Sequence, residues 1–408
     1  MAGLGPDDEP INPFGGIPLF GDLARLLGNQ GPVNWEIARQ MARWLATQGT
    51  TEANVDPMVR VRYEELYRIA AMHVAEATGL VVADSPVRVL TRSMWASEAL
   101  DSWQPLMERL AEALSRDEGA GASDAGTSGA GTSVEEPPAG PDALMQNLAQ
   151  SLSPMLLGLQ SGSMVGHLAQ KSLGTYDLPL PRENRDLVVV PANVDAFAEE
   201  WSLGLDDARM FVAVTETAEH AVLSIDHVRA RFIELIGEYV SGFRPDTTAL
   251  EDRIGAIDPT DMEALQSAFG DPEALLGAMS SPEQEQAASR LSAAVAALIG
   301  YVDHFTATIA GRLVGSPGLL QEAQRRRRVA KGQGERFVER LFGLEMTRTQ
   351  IETGTAFVNG VIERADESAL VRLWTKPDAL PTPAEIVAPG LWLERISYGE
   401  AGAGGAGD

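Results

Sequence analysis

Glu216, Glu219 and His220 bring two carboxylates and an imidazole into one short stretch of the sequence. On a helix, residues four apart lie one turn apart on the same face, so Glu216 and His220 point the same way. A second acid–imidazole pair, Asp303 and His304, falls on another helix-forming stretch. Carboxylate and imidazole donors converging from packed helices can hold a divalent metal. Glu219, His220, Asp303 and His304 are therefore candidate ligands around Glu216. The plainer arrangement leaves Glu216 and Glu219 facing solvent or accepting ion pairs from Arg229 or Arg231, with His220 half-buried.

Other chemistries find less support. Serine catalysis needs a strained, exposed turn, and no Gly-x-Ser-x-Gly elbow occurs. Ser161 and Ser163 flank Gly162 within a helical stretch. The glycine-rich Pro13–Pro18 lacks both a preceding strand and the Gly-Lys-Ser/Thr ending of a phosphate loop. Arg325–Arg328 with Lys331 is the one dense basic run, which we expect to form a solvated helix segment or to pair with Glu322 and Glu335.

Helices must position these residues. Asn34 reads as the cap of a helix carrying Trp35, Met41 and Trp44, and Asp56 followed by Pro57 opens one that Gly79 ends. Short extended pieces are expected at Val87–Leu90 and Leu187–Val190. A long helix follows Asp142, with Gly158, Gly162 and Gly166 at four-residue spacing, a pattern that lets two helices touch closely and could serve a homo-oligomeric contact. Asn193 and Asp206 read as caps of the next two helices, the second carrying Glu216. Further helices are expected near Pro259–Phe269, Pro272–Met279, Pro282–Leu313, Gly334–Phe342, Thr347–Ala365 and Glu367–Trp374. Residues 1–32, 116–141 and 399–408 are too rich in Gly, Ala, Ser and Pro to offset their ordering entropy, leaving one domain over 33–398.

The composition agrees with helix packed on helix: hydrophobic residues make up 44% of the 408-residue chain and aromatics only 6%. A formal charge of -26 repels phosphate backbones, which argues against nucleic-acid binding. With no cysteine, disulfides and thiolate zinc sites are excluded. The start MAGLGPDDEP has neither the cationic beginning nor the apolar centre of a secretory signal, and no run of about 18 apolar residues suggests a membrane span, so a cytoplasmic protein is expected.

The phrases GPVNWEIARQ at Gly31, VPANVDAFAEEW at Val190, AVTETAEHAVLSIDHVRARF at Ala213, ALIGYVDH at Ala297, and LFGLEMTRTQIETGTAFV followed by LWTKPDALPTPAEI occur in family-like order. From about Val33 to Ile396 the chain thereby resembles the bacterial zincin-like family of candidate hydrolases and zinc-dependent metalloproteases, relatives of proteins linked to deazaflavin-cofactor biosynthesis.

That resemblance implies a mainly α, zincin-like helical domain with at most short extended segments. It also implies a His-Glu-x-x-His helix, in which two imidazoles hold zinc and the glutamate acts on the bound water. Here the motif is degenerate. The matching residues are Thr215, Glu216 and Glu219, so only the glutamate remains, and the position implied to supply a further acidic ligand holds Ile299. Glu216 stands where the resemblance places the family's base, a vestige of it in the first reading below and the working base in the second. The expectation is a pseudoenzyme without zinc or other cofactor, with a binding or regulatory role toward a protein or peptide partner. The alternative is a metal-dependent hydrolase or metallopeptidase that uses Glu216 with a rebuilt ligand set and zinc.

Overall fold

The computed structural model describes residues 31–82, 85–115, 141–181, 186–243 and 281–404. The helices expected at Pro259–Phe269 and Pro272–Met279, and the segments 1–30 and 116–140, lie outside the described residues.

Helices α1 (Trp35–Thr47) and α2 (Pro57–Thr78) start and stop where their caps place them. The Asn34 and Asp56 side chains accept backbone N–H bonds from Ile37 and Met58, and Gly79 adopts the left-handed conformation that ends α2. After β1 (Val87–Val89) come α3 (Arg92–Ser115) and α4 (Pro141–Ala169). Gly158, Gly162 and Gly166 lie against α1. A Cβ at Gly162 would run into Ala38, and one at Gly166 would reach the Leu45 Cβ at 2.6 Å. The close helix contact that these glycines permit is thus made within the chain, not between copies as the spacing had suggested.

Strand β2 (Leu187–Val189) pairs parallel with β1, Val87 opposite Leu187 and Val89 opposite Val189. Two short extended pieces in a helical chain match the expected mainly α class. Helices α5 (Pro191–Glu200), α6 (Leu205–Leu223), α7 (Asp226–Ser241), α8 (Pro282–Leu313), α9 (Pro317–Val329), α10 (Gln333–Phe342) and α11 (Arg348–Arg364) follow. A 3-10 helix (Glu367–Trp374) and α12 (Pro389–Gly404) complete the described chain. Helix α12 runs into the residues expected as a tail at 399–408, anchored by Trp392, which is wholly buried and donates from Nε1 to the Ala379 carbonyl at 2.7 Å.

Two expected caps are corrected. Helix α5 starts at Pro191, and Asn193 is buried within it, its amide donating to the Ala169 and Ser172 carbonyls at 2.9 and 2.7 Å while Arg92 donates to its oxygen. Gly204, not Asp206, precedes α6, and Asp206 lies in its first turn. Helix α8 packs on α6, α7 and α11, with Gly300 and Gly354 meeting at the α8–α11 crossing. It is also long and apolar enough by composition to cross a membrane, but 78% of its most apolar window is buried inside the fold.

Candidate functional site

Helix α6 is buried without interruption from Phe211 to Leu223, and that stretch includes Thr215, Glu216, Thr217, Glu219 and His220. A helix buried on all sides is ordinarily apolar throughout. Polar groups here must find partners or bear a desolvation cost.

Glu216 finds backbone. Its carboxylate accepts the Thr175 N–H at 2.7 Å and the Tyr176 N–H at 3.1 Å. The loop that supplies them is pinned from three directions. Val188 N–H donates to the Thr175 hydroxyl at 2.7 Å, Val190 N–H to the Leu173 carbonyl at 2.9 Å, and Trp95 Nε1 to the Gly174 carbonyl at 2.8 Å. A Cβ at Gly174 would lie 2.5 Å from the Glu216 carboxyl carbon, so only glycine leaves room for this contact. The small β1–β2 sheet therefore serves to present two N–H donors to a carboxylate on α6.

Glu219 has a harder environment. Burial, then the neighbouring Glu216 charge, push its carboxyl well above the usual carboxylate range, with Arg328 acting in the opposite direction. Arg328 Nη2 lies 3.8 Å from Glu219 Oε1, and Nη1 donates to Asp303 Oδ1 at 2.6 Å. Arg328 is 5% exposed, and although burial disfavours its charge, Asp303 and Glu219 hold its pKa above the ordinary value. One guanidinium from α9 thus bridges carboxylates from α6 and α8.

His220 does not line the cleft that Glu216 and Glu219 share. It is fully buried, with Nε2 2.9 Å from the Ser85 hydroxyl and Nδ1 2.9 Å from the Tyr176 hydroxyl. His304 pairs with Glu367 at 2.6 Å on the outer side of α8. Glu216 and Glu219 therefore share a cleft, Asp303 is linked to Glu219 through Arg328, and His220, which shares Tyr176 with Glu216, and His304 do not line that cleft. The half-buried His220 of the plainer expectation is corrected, as are the pairings with Arg229 and Arg231, which go to Asp226 and to Glu234 and Glu238.

The cleft has a volume of about 40 Å³ and opens between α6, α9 and the 172–178 loop, since α6 and α8 pack directly on each other. Arg327 and Lys331 line it beside Arg328. Arg327 donates to Asp177 at 2.7 Å, and Lys331 pairs with Glu339. Burial lowers the Lys331 pKa and raises that of Glu339, each opposed by the partner's charge. The basic run is thus only partly the solvated segment expected. Arg326 does pair with Glu322 at 2.6 Å, but Glu335 goes to Lys171, while Arg327 and Arg328 turn inward. Sequence reading missed Arg327, Arg328, Asp177 and Gly174. The run's helical phase, which turns Arg328 toward the same side as Gln324, was the available signal.

A tight zinc site needs three or four N, S or O donors at about 2.0–2.3 Å. Among the described residues no group of three or more His, Asp or Glu side chains is placed to hold a metal. The Thr215 hydroxyl bonds to the Phe211 carbonyl at 3.0 Å, and Ile299 is apolar and buried. The residues present do not fit zinc.

A helical domain with an acidic central helix, facing a small charged cleft, is the class that fold and site define. The chain belongs to the zincin-like metallopeptidase family, whose profile matches residues 33–393. A protein of similar fold is known from Chloroflexus aurantiacus, described as a candidate hydrolase with a novel fold; it is 23% identical, with a TM-score of 0.62 over 90% of this chain and 99% of that one. No curated protein matches the chain.

Proposed function

We propose that this chain uses the family fold for binding or regulation, without zinc-peptidase activity, and that its partner is a protein or peptide. The observation that carries this reading is Arg328. Its guanidinium supplies positive charge between Glu219 on α6 and Asp303 on α8, so the acidic helix is already neutralised from within the chain. Glu216 supports the same reading. Two backbone N–H groups tie one Glu216 oxygen to the fold and favour the charged form, which makes the carboxylate a weaker acceptor of a proton from water. Without a bound ion, water keeps a pKa near 15.7, far from what a carboxylate can deprotonate usefully.

The test is functional. Protein purified without chelator, incubated with casein and a mixed peptide library, should release no new amino termini above the level of the Glu216→Gln variant, and chelator should leave its melting temperature unchanged. Hydrolysis that chelator and Glu216→Gln both abolish would instead support the metal-dependent reading. The shared cleft of Glu216 and Glu219 is the feature that favours that alternative.

A further inference from the structure

A second cavity, of about 160 Å³, lies between α8, α9 and α11, separated from the Glu216 cleft by Phe211 and Gln324. Its size is close to that of engineered cavities of roughly 150 Å³ that take up benzene, so a ligand of about six non-hydrogen atoms fits. Its wall, however, is polar. Thr306 and Gln324 line it while being only 2% and 9% exposed, and the Thr306 hydroxyl and Gln324 Oε1 have no hydrogen-bond partner among the described residues. Buried polar atoms left unpaired in a native fold call for an explanation, and a bound ligand group is one.

The charges around the cavity indicate what that ligand carries. Asp303, on the same wall, uses Oδ1 for Arg328, and its charge favours a cation beside Gln324 Oε1, an acceptor that needs an N–H donor. On the open side Arg325 is exposed and, unlike Arg326, Arg327 and Arg328, makes no ion pair with the described residues. We propose that this cavity binds a small amino-acid-like zwitterion, its ammonium group donating to Gln324 Oε1 and the Thr306 hydroxyl beside Asp303, and its carboxylate meeting Arg325. The site is independent of the reading of the Glu216 cleft.

Calorimetric titration of the full chain with alanine, ethylamine and propionate tests this. Alanine should bind, with the two single-charge probes at least about tenfold weaker, which is about 1.4 kcal/mol. Thr306→Val, which keeps the shape, and Arg325→Ala, at an exposed position, should each weaken alanine binding about tenfold or more while circular dichroism stays unchanged. No heat from alanine at about 10 mM, where even millimolar affinity would register, would overturn the site. Alanine binding untouched by both substitutions would also overturn it, and ethylamine binding as tightly as alanine would overturn the role of Arg325.

Discussion

Replacing Arg328 by methionine removes the charge and keeps most of the length, which isolates the electrostatic role of the guanidinium. The loss falls on Asp303, bonded at 2.6 Å, and on Glu219 at 3.8 Å, in a group that is 5% exposed. Removing one member of a buried ion pair typically costs about 3–5 kcal/mol. Glu219 limits the loss, because it can take up a proton instead of remaining charged. Holding a carboxyl protonated costs about 1.36 kcal/mol for each pH unit above its unfolded value, so this relief costs less at low pH than at high. The sign follows. A carboxyl whose folded pKa is raised contributes stability that is present below the unfolded value and lost as pH rises through the folded one, and the variant raises it further. Arg328→Met should therefore cost about 3 kcal/mol at pH 8, roughly 4 °C in melting temperature for a domain of this length, and less at pH 5, where the loss of the Asp303 bond remains. Adding Glu219→Gln should recover part of the loss at pH 8. Calorimetric scans at both pH values decide the matter: a loss equal at pH 5 and pH 8, with no recovery in the double variant, would refute the account of this cluster.

Three further perturbations follow. Glu216→Ala leaves the Thr175 and Tyr176 N–H groups without their acceptor and should cost about 2–4 kcal/mol by chemical denaturation, whereas Glu216→Gln keeps one oxygen and should cost less. Gly174→Ala places a methyl 2.5 Å from the Glu216 carboxyl carbon and should destabilise by about 1–3 kcal/mol; a neutral effect would mean that the loop is not held as described. Gly162→Leu should expose the half-buried Trp35 and Trp44 of α1, seen as a red-shifted tryptophan emission, with the mass from light scattering unchanged; a changed mass with unchanged emission would return the glycine stripe to an intermolecular role.

Much of the scaffold could be read from local chemistry. Asn34, Asp56 with Pro57, Gly79 and Thr347 mark helix ends because a cap's preference is set by its own side chain and the adjacent N–H groups. The short extended pieces at 87 and 187 were legible from their β-branched residues, but not their pairing, which depends on contacts a hundred residues apart. Asn193 looks like a cap in sequence and acts as a buried brace, since a side-chain amide satisfies distant carbonyls as readily as local N–H groups. Helix α12 was hidden by its alanine- and glycine-rich end, where tertiary packing through Trp392 outweighs propensity.

The candidate site was legible in half. Glu216 and Glu219 could be placed on one helix and in one cleft, because helical spacing fixes their relation. What the sequence hides is the return partner: Arg328 sits in a run that resembles a solvated basic face, and although helical phase turns it to the side of Gln324, it does not show which carboxylates, Asp303 and Glu219, it meets there. Gly174 is equally silent, since the need for a missing Cβ exists only once α6 packs against that loop.

The identity of the cation between α6 and α8 can be measured directly by elemental analysis of protein expressed in zinc-supplemented medium and purified without chelator. The account predicts substoichiometric zinc and no other divalent ion retained through gel filtration. Near-stoichiometric metal that is lost on substituting Glu216, Glu219 or Asp303 would contradict it.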